Sequence, residues 1–559
     1  MEHWEGLPRV AYFSMEFGLH EDLPIYAGGL GILAGDILKG AHDLGYPMVG
    51  VGILWQEGYV IQRIGPGGYP EDSYRTIDTG ELSRFLEDTG VVVHVTVGQE
   101  QVPCRVWLVE GLGNVPLYLL DTNIPGSPHS WITRRLYGGS NVDRVAQEIV
   151  LGIGGIRALR SLNCPVDIYH FNEGHAVLAG LELLRERLAA GSSFTAAWHE
   201  VRTHTVFTTH TPVMAGNESH PHDLLFSMKA NNGLTYEQMV EIGGDPFSMT
   251  VTGLRLSQMA NGVSITHGVT AREMWADIAG AAPILSITNG IHVPTWQDRR
   301  IKTAHEAGRG LLSVHETLKA ELLQEVERLT GRRLPQNALL IGFARRAAPY
   351  KRSDLILRRP DVIQPLLQSG EVAIIFAGKA HPQDEVGKNI VANLYSVAAQ
   401  FPGSVVFLEN YDMRIAKMLV RGCDVWLNNP RRPLEASGTS GMKAAVNGVL
   451  NVSTMDGWWP EACLHGVNGW QIGYGYQGPD QNERDLVSLY ETLLNEVLPV
   501  FRRDRQRWED MMFSSIDTAL HLFSARRMVS QYYNLMYMPL LAVQEAERMR
   551  VAVSHQAQG

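Results

Sequence analysis

A chain of 559 residues is too long for one compact hydrophobic core, so we expect at least two domains. Its composition, with 45% hydrophobic and 19% charged residues, excludes a largely disordered protein. The net charge of −11 argues against a general binder of nucleic acid or anionic membranes, so any anionic ligand must be held by a local group of cations.

In the first half of the chain, short apolar runs alternate with helical patterns. The predicted strands cover residues 9–13, 46–53, 59–63, 91–97, 105–109, 117–120, 167–170 and 206–209. The predicted helices cover residues 31–44, 141–162 and 173–190. This alternation is typical of a parallel sheet covered on both faces. The strands at 91–97 and 105–109, joined by a short polar link, predict a hairpin added to that sheet.

The second half repeats the alternation after a predicted hinge at residues 286–296. Ser313 and Glu316 fit a capping box for a helix over residues 313–329. Strands are predicted at residues 339–344, 372–377, 404–408, 424–428 and 450–453, and helices at 361–369, 384–400, 414–421, 443–447 and from 516 onward.

Two such alternations predict an α/β protein with two doubly wound, Rossmann-like domains that face each other across a cleft. We place the first domain at residues 1–290, the second at 291–525 and a C-terminal helix at 526–559. Ligands of doubly wound sheets bind beyond the carboxyl ends of the strands. Polar motifs at strand ends are therefore the candidate sites.

The sequence also predicts the cellular compartment of the protein. Its four cysteines (Cys104, Cys164, Cys423 and Cys463) are far apart, which predicts free thiols in a reducing cytoplasm. No run approaches about 18 apolar residues, and the N-terminus lacks a signal-peptide pattern, so no membrane segment is expected. The histidines are spread over separate segments, so we expect no metal site.

Two motifs are suited to anions. Residues 26–31 (YAGGLG) open a helix, where backbone N–H groups and the helix N-terminus favour a phosphate. Residues 344–352 (ARRAAPYKR) place four cations directly after a predicted strand. A tight glycine turn and a solvated basic turn remain the alternatives for these two motifs.

A third motif is residues 431–443 (RRPLEASGTSGMK), which follows another strand and runs into a helix. Lys443 is expected in the first turn of that helix, where nearby cations and the helix N-terminus would lower its pKa and favour imine formation. An exposed lysine in a glycine-rich loop is the alternative. The polar strand ends 170–175 (HFNEGH), 208–212 (TTHTP), 288–290 (TNG) and 456–459 (DGWW) are suited to binding sugar hydroxyls.

Taken together and in this order, these segments resemble the α-glucan (glycogen, starch, maltodextrin) phosphorylase family, from about Val10 to Trp459. The most specific segment is 435–443 (EASGTSGMK), which is similar to the pyridoxal-phosphate loop that ends in the Schiff-base lysine. YAGGLG resembles the family's glycine loop, HFNEGH and THTP its sugar-site segments, and ITNGI its inter-domain segment. The short bacterial and archaeal branch is the most similar.

The resemblance implies the two-domain GT-B fold, with the C-terminal helix packing back on the first domain. It implies an enzyme that reversibly phosphorolyses terminal α-1,4-glucosyl units to glucose 1-phosphate with retention. The expected partners are an α-1,4-glucan or maltooligosaccharide, inorganic phosphate, glucose 1-phosphate and a second copy in a homodimer. Because the chain begins almost at the strand before the glycine loop, allosteric regulation is expected to be absent.

The resemblance also assigns roles to residues. Lys443 would carry pyridoxal 5′-phosphate, and the other cofactor contacts would be Arg345, Gly438, Thr439, Ser440 and Tyr411. The substrate phosphate would be held by Gly29, Arg346 and Lys351. The remaining substrate contacts would be Gly28, Leu30, His175, His210, Asn289, Glu435, Ser437 and Gly438. Lys443, Arg346, Lys351 and His210 would form the catalytic set, and the backbone carbonyl of His210 would face the anomeric centre.

Two other functions are alternatives to phosphorolysis. A retaining glycosyltransferase that uses a nucleotide sugar often has Glu-x7-Glu in its second domain, but the same spacing from Glu435 reaches Lys443 here. A lysine cannot accept a hydrogen bond from a ribose hydroxyl, but it reacts with aldehydes. A non-catalytic glucan-binding protein would need neither Lys443 nor the cations. Exchange of Lys443 for alanine separates that alternative from phosphorolysis.

Overall fold

The computed structural model describes residues 6–556, with side chains described as far as Met549. Contacts divide the chain into two compact units. Unit 1 comprises Met1–Tyr59, Arg75–Thr288 and Ala525–Gly559, and unit 2 comprises Val60–Tyr74 and Asn289–Ser524. Residues 60–74 belong to unit 2, although the sequence prediction placed them in the first domain.

Strands and helices alternate along both units. The strands are β1 (Val10–Phe13), β2 (Met48–Ile53), β3 (Ile61–Ile64), β4 (Pro70–Ser73), β5 (Glu87–Val97), β6 (Glu100–Val109), β7 (Leu117–Asp121), β8 (Ile168–Asn172), β9 (Thr205–Thr208), β10 (Ser219–His220), β11 (Phe247–Ser248), β12 (Met259–Gly262), β13 (Ile284–Ser286), β14 (Leu339–Ala344), β15 (Val372–Ala377), β16 (Val405–Leu408), β17 (Val425–Asn428), β18 (Leu450–Thr454) and β19 (Gly469–Ile472).

The helices are α1 (Gly29–Leu44), α2 (Asn141–Ile149), α3 (Gly155–Ser161), α4 (Leu178–Ala189), α5 (Phe194–Arg202), α6 (His222–Ser227), α7 (Tyr236–Gly243), α8 (Met249–Leu256), α9 (Ile265–Met274), α10 (Val293–Trp296), α11 (Arg299–Glu306), α12 (Leu311–Thr330), α13 (Pro360–Gln368), α14 (Glu385–Gln400), α15 (Met413–Gly422), α16 (Thr439–Ala445), α17 (Trp459–Ala462), α18 (Gln481–Thr492), α19 (Leu498–Arg503), α20 (Arg505–Leu522), α21 (Ala525–Tyr532) and α22 (Met538–Gln556). A π-helical turn, Val150–Gly154, joins α2 to α3.

The sheet of unit 1 has the order β13-β12-β9-β8-β1-β2-β7-β6-β5. Its strands from β13 to β7 are parallel, and β6 and β5 add an antiparallel hairpin at one edge. The hairpin predicted from the sequence is therefore confirmed. The chain order reverses between β1 and β8, because β2 and β7 continue on one side of β1 and β9, β12 and β13 on the other. Such a reversal is where α/β sheets bind their ligands.

The main sheet of unit 2 is parallel throughout, with the order β16-β15-β14-β17-β18-β19. Counted from β14, this is the 3-2-1-4-5-6 order of nucleotide-binding doubly wound folds. Its central strands are buried along their whole length, as expected for parallel strands with helices on both faces. Its switch point lies between β14 and β17. The mixed α/β class with parallel sheets is thus confirmed.

Two local predictions are wrong. Helix α16 begins at Thr439, four residues before its predicted start, so Lys443 lies in the second turn and not in the first. Helix α12 begins at Leu311 after Gly310, which caps it in a left-handed conformation with φ 79°. Ser313 is therefore inside the helix, where its carbonyl accepts a hydrogen bond from Thr317, and the predicted capping box does not form. No helix within residues 6–556 is long and apolar enough to cross a bilayer.

Candidate active site

In unit 1, the glycine motif at the start of α1 binds a carboxylate of the protein itself. Glu16 Oε2 accepts hydrogen bonds from the backbone N–H groups of Ala27 at 2.5 Å and Gly28 at 3.1 Å. Its Oε1 accepts one from the Tyr137 hydroxyl at 2.8 Å. Burial raises the pKa of Glu16, against the opposing effect of these hydrogen bonds. Glu16, which the sequence analysis did not single out, thus fixes the shape of the turn.

The turn leaves room for a ligand beside Gly28 and Gly29. A Cβ atom built on either glycine would have no heavy atom of the described structure within 4 Å. At Gly31 the same atom would lie 2.5 Å from Glu16 Oε2 and 2.8 Å from Tyr26 Cβ. Gly31 is therefore required by close packing. Gly28 and Gly29 are instead open towards solvent at the N-terminus of α1, as an anion site requires.

Glu173, the residue after β8, connects the two histidine motifs of unit 1. Its backbone has φ 72°, which is strained for a residue with a side chain. Its Oε2 accepts hydrogen bonds from the backbone N–H of His210 at 2.7 Å and from the Thr211 hydroxyl at 3.2 Å. His210 Nε2 in turn donates to Asn172 Oδ1 at 2.7 Å. Burial lowers the pKa of His210 to about 3, so its imidazole is neutral.

His175 lies in a buried network of charged side chains. Its Nδ1 is 3.1 Å from Arg144 Nη2, and Arg144 makes a bidentate ion pair with Glu218 at 2.9 Å. Arg144 is also 3.3 Å from Glu148, whose other oxygen is 3.0 Å from His220 Nε2. Burial and the Glu218 charge raise the pKa of Glu148 to about 7, while Arg144 holds that of Glu218 at about 2.

Glu148, Glu218 and His220 have the donor atoms of a metal site, since one ligand atom from each lies within 4.8 Å of the others. The Arg144 guanidinium contacts both carboxylates of this group. A cation of the protein itself thus occupies their shared neighbourhood. None of these four residues was singled out in the sequence, because Arg144 and Glu148 lie on α2 and Glu218 and His220 lie at β10, outside the strand-end motifs.

In unit 2, the residues after β14 and β17 meet at Glu435. The carboxylate of Glu435 accepts hydrogen bonds from Arg345 Nη1 at 3.1 Å and from Lys351 Nζ, and all three side chains are at least 90% buried. Burial alone would raise the pKa of Glu435, but the Lys351 and Arg345 charges outweigh it and lower the pKa. Two cations thus face one carboxylate, which leaves a net positive charge at the switch point.

The other two cations of the basic motif behave differently from one another. Arg346 is exposed, and its side chain has no hydrogen bond or ion pair within the described part of the chain. Arg352 points inward and binds Asp485 at 2.7 Å and the carbonyls of Asn429 and Pro430 at 2.8 and 2.9 Å. Arg352 therefore anchors the loop. Arg345 and Lys351 share one carboxylate and Arg346 has no ion pair among the described residues, so the motif keeps a net positive charge for an anion.

Lys443 is buried in the second turn of α16. Its Nζ lies 4.1 Å from the centre of the Trp296 ring and 3.4 Å from Thr439 Oγ1. The segment that carries Trp296 is tied to the end of α16, because Gln297 donates to the carbonyl of Val446 at 2.8 Å and Asn447 donates to that of Trp296 at 3.0 Å. Trp296, which the sequence analysis did not assign to the site, is thus held against the lysine.

Asp456, which follows β18, holds the loop before α16 in place. Asp456 accepts hydrogen bonds from the backbone N–H groups of Glu435 and Gly457, both at 2.9 Å. Gly457 has φ 59°, and a Cβ there would lie 2.3 Å from the carbonyl oxygen of Ser437. Ser440 Oγ accepts from Trp426 Nε1 at 3.2 Å. The Ser437 hydroxyl is buried without a hydrogen-bond partner among the described residues, so it can bond a ligand or a water molecule.

A further cation, Lys379, follows β15 and was missed in the sequence. Its Nζ donates to Asn410 Oδ1 and to the carbonyl of Val60, both at 3.0 Å, and burial lowers its pKa to about 8. The neighbouring Tyr411 is electrostatically coupled to Arg345, and burial raises its pKa. The one sequence signal for Lys379 is its position after a glycine at the end of the predicted strand 372–377. Asn289, also predicted at the site, is buried in unit 2.

The predicted site residues therefore form two groups, one in each unit. Unit 1 brings Glu173 and His210 together and places His175 beside them, with the glycine turn at the end of the neighbouring strand β1. Unit 2 brings Arg345, Lys351 and Glu435 together, next to the loop that leads to Lys443. Both groups lie at the switch point of their own sheet.

Several known proteins are similar to this chain over most of its length. A family model described as carbohydrate phosphorylase matches residues 284–461. The glycogen phosphorylase of Mycobacterium tuberculosis is 40% identical over 617 aligned residues, which cover 96% of this chain and 71% of the relative. The maltodextrin phosphorylase of Thermococcus litoralis is 39% identical, with 95% and 71% covered. The glycogen phosphorylase of Aquifex aeolicus is 36% identical, with 95% and 86% covered.

Identity at this level over nearly the whole chain confirms the resemblance found in the sequence. The matched relatives carry the names glycogen phosphorylase and maltodextrin phosphorylase, and the family model covers the segment from ITNGI to the loop of Glu435 and Lys443. The chain therefore belongs to the carbohydrate phosphorylase family.

Proposed function

We propose that the protein reversibly phosphorolyses terminal α-1,4-glucosyl units of glucans or maltodextrins to glucose 1-phosphate. The reaction would retain the anomeric configuration and use pyridoxal 5′-phosphate. The observation that carries the proposal is the 435–443 loop, where a buried lysine and a carboxylate held by two cations lie at the switch point of a parallel sheet. The activities named for the relatives support the substrate class.

In this proposal the cations of unit 2 hold the phosphate groups. Two phosphates side by side repel, so the pocket needs several cations and backbone donors. Arg345 would bind the cofactor phosphate, and Arg346 and Lys351 the substrate phosphate. The ion pairs with Glu435 orient Arg345 and Lys351 before any ligand arrives, which reduces the reorganisation that binding requires.

The glucosyl unit would be bound by neutral hydrogen-bonding groups and by ionised Glu435. His175 and His210 keep low pKa values through burial, so they donate and accept hydrogen bonds without adding charge near an oxocarbenium-like sugar. Gly28, Gly29 and Leu30 would approach the substrate through their backbone. Asn289, Glu435, Ser437 and Gly438 would contact its hydroxyl groups, and the partnerless Ser437 hydroxyl fits that role.

The residues around Lys443 fit pyridoxal phosphate. A buried lysine and a surplus of cations suit an aldehyde that carries a phosphate. Gly438, Thr439, Ser440 and Tyr411 would complete the cofactor contacts. When bound, the cofactor supplies a phosphate group that assists proton transfer to the leaving glycosidic oxygen. Trp296 and Thr439 orient the Lys443 ammonium group.

The proposal extends to the rest of the family pattern, namely a GT-B type of α/β fold, a homodimer and a cytoplasmic location. Cys104, Cys164, Cys423 and Cys463 are all free thiols, which supports a reducing compartment. The homodimer is tested by the molar mass of the purified protein in solution.

The deciding experiment maps the cofactor. The purified protein is incubated with pyridoxal phosphate, reduced with borohydride, digested and examined by mass spectrometry. We expect an adduct on Lys443 and phosphate-dependent release of glucose 1-phosphate from a maltodextrin. Lys443→Ala should remove both, with activity reduced at least a hundredfold, on the order of the loss of one essential group.

Lys302→Ala is the matched control, because Lys302 is an exposed lysine of the same unit whose one ion pair among the described residues is with Glu306 at 3.8 Å. This variant should keep both the adduct and the activity. If no lysine is labelled and a nucleotide sugar supports glucosyl transfer, the arginine cluster is a diphosphate site and the proposed function is wrong.

A further inference from the structure

The contact between Arg144 and His175 determines which nitrogen of the imidazole carries the proton. Arg144 Nη2 lies 3.1 Å from His175 Nδ1. A guanidinium group has five N–H donors and no acceptor. Nδ1 must therefore accept the hydrogen bond, since the alternative would point two N–H groups at each other.

The other nitrogen of His175 then holds the single proton. His175 is buried, and burial together with the Arg144 charge lowers its pKa to about 3, so the ring is neutral. A neutral imidazole with an unprotonated Nδ1 is protonated at Nε2. Nε2 is buried and has no hydrogen-bond partner among the described residues. A buried donor without a partner is costly unless a ligand satisfies it.

We propose that Arg144 is a positioning residue that fixes His175 as its Nε2–H tautomer, so that His175 donates a hydrogen bond to an oxygen of the glucosyl substrate. This inference rests on the proposed function for the identity of that oxygen. The tautomer itself rests only on the geometry of unit 1.

The surroundings of Arg144 prevent it from turning away. Glu218 binds it in a bidentate ion pair, Glu148 lies 3.3 Å from its Nε, and the Tyr137 ring centre is 5.0 Å from its guanidinium carbon. His220 holds the second oxygen of Glu148 at 3.0 Å. The three side chains around Arg144 thus fix the plane of the guanidinium and, through it, the direction of the His175 ring.

His210 provides a contrast within the same unit. Its Nε2 donates to Asn172 Oδ1 at 2.7 Å, so in the neutral ring its Nδ1 is the acceptor. His210 therefore uses its proton inside the protein, whereas His175 keeps its proton for a ligand. The two imidazoles present opposite hydrogen-bonding polarity, which favours a hydroxyl-bearing substrate over one with acceptors only.

The tautomer is measured by nitrogen-15 NMR of the whole protein labelled at histidine, with the His175 signals identified by their loss in His175→Asn. We expect Nδ1 in the unprotonated range and Nε2 in the protonated range, without any ligand. A protonated Nδ1 overturns the proposal. Addition of glucose 1-phosphate should shift the Nε2 signal, and an unmoved signal in a protein that turns over this substrate overturns the donor role.

Variants separate positioning from stability. Arg144→Lys keeps a donor-only side chain and should retain the tautomer, whereas Arg144→Met should lose it and reduce kcat/KM for glucose 1-phosphate at least tenfold. Arg157→Met is the matched control, because Arg157 makes a comparable pair with buried Glu182 at 2.9 Å away from His175. If Arg144→Met does not fold, the wild-type spectrum still decides.

Different experimental results would contradict this inference and the proposed function. A protein with the Nε2–H tautomer but without phosphorolysis or a cofactor adduct would contradict the proposed function alone. Phosphorolysis with the opposite tautomer would contradict the role of Arg144 alone. Equal losses in Arg144→Met and Arg157→Met, with the His175 signals unchanged, would show a structural role and also contradict the inference.

Discussion

Two buried acidic residues of unit 2 are joined by a hydrogen bond from the backbone N–H of Glu435 to the carboxylate of Asp456, yet the pKa values of their side chains move in opposite directions. Lys351 and Arg345 outweigh burial and lower the pKa of Glu435. Asp456 accepts the backbone N–H of Glu435 at 2.9 Å, and burial raises its pKa from 3.8 to about 7, helped by the Glu435 charge and only partly opposed by Arg432. Glu435 therefore stays ionised and Asp456 tends to be protonated, because the two cations bonded to Glu435 outweigh its burial and the single Arg432 charge does not outweigh the burial of Asp456.

Asp456→Asn tests this difference through stability. Because folding raises the pKa of Asp456, the native state binds its proton more tightly than the unfolded state does. The contribution of Asp456 to stability should therefore fall as the pH rises from about 4 to about 7. The unfolding temperature of Asp456→Asn, relative to wild type, should be higher at about pH 8 than at about pH 5.

Calorimetry at both pH values measures the effect, and comparison with Asp510→Asn corrects for the same substitution on an exposed residue of α20. A difference between Asp456→Asn and wild type that is the same at both pH values would contradict the raised pKa. Thermal denaturation of the unloaded protein suffices, so the result does not depend on the cofactor.

At the scale of elements, the start of α1 shows how a helix end is prepared for an anion. Glu16 takes the N–H groups of Ala27 and Gly28, which holds the turn without any ligand. Gly28 and Gly29 have open space where a side chain would be, and Gly31 does not. The glycines of one short motif thus serve two different purposes.

Gly29→Ala separates these purposes. Its methyl group meets no atom of the described structure within 4 Å, so the unfolding temperature should not change. If phosphate binds against this turn, the methyl group should raise the KM for phosphate by about tenfold, which corresponds to about 1.4 kcal/mol. Steady-state kinetics of phosphorolysis at varied phosphate concentration measure this KM. Gly31→Ala should instead lower stability, because its Cβ would lie 2.5 Å from Glu16 Oε2. An unchanged KM in Gly29→Ala would place the phosphate elsewhere.

The accuracy of the sequence predictions also varied with the type of element. Residues 339–344 and 372–377 were predicted with the bounds that β14 and β15 have, because buried parallel strands are uninterrupted apolar runs. The start of α16 was predicted too late, because glycine, serine and threonine are weak helix formers and the packing of unit 2 overrides that preference. Strands β12 and β13, with only a few residues each, carry too little pattern to be recognised.

Candidate residues in strand-end motifs could be read from the sequence, whereas their partners could not. Arg144 and Glu218 are 74 residues apart, and Arg345 and Glu435 are 90 apart. Nothing in the local pattern of either residue indicates the other. The roles of Arg144, Glu16 and Lys379 follow only from contacts that the fold creates between distant segments.

At the scale of the whole molecule, the chain passes from unit 1 to unit 2 and then returns to unit 1. The returning segment packs on the sheet through aromatic side chains of α21 and of the π-helical turn Tyr533–Tyr537 that follows it. The Tyr537 hydroxyl is hydrogen-bonded to His170 Nδ1 at 2.6 Å, and the Tyr532 hydroxyl accepts a hydrogen bond from Asn261 at 3.1 Å. Gly40 of α1 lets Ala525 approach, since a Cβ there would lie 3.0 Å from Ala525 Cβ. The core of unit 1 is therefore incomplete without its returning segment.

Tyr537→Ala tests this dependence. Loss of a buried aromatic ring should destabilise unit 1 by about 3 kcal/mol or more, and Tyr537→Phe, which removes only the hydroxyl, by about 1 kcal/mol. Hydrogen exchange followed by mass spectrometry locates the effect. We expect faster exchange in peptides of β1 and β8 and unchanged exchange in β14 and β15. Equal acceleration in both units would contradict the assignment of the returning segment to the core of unit 1.

The return of the chain also has a consequence during synthesis. A ribosome that adds about 5–20 residues per second needs roughly 10–50 s to translate the part of unit 2 that separates Thr288 from Ala525. For most of that time the strands of unit 1 have left the ribosome, but Tyr532 and Tyr537, whose rings contact His170, have not yet been synthesised. The nascent chain therefore exposes part of the sheet of unit 1, and we expect chaperones to bind it while unit 2 is translated.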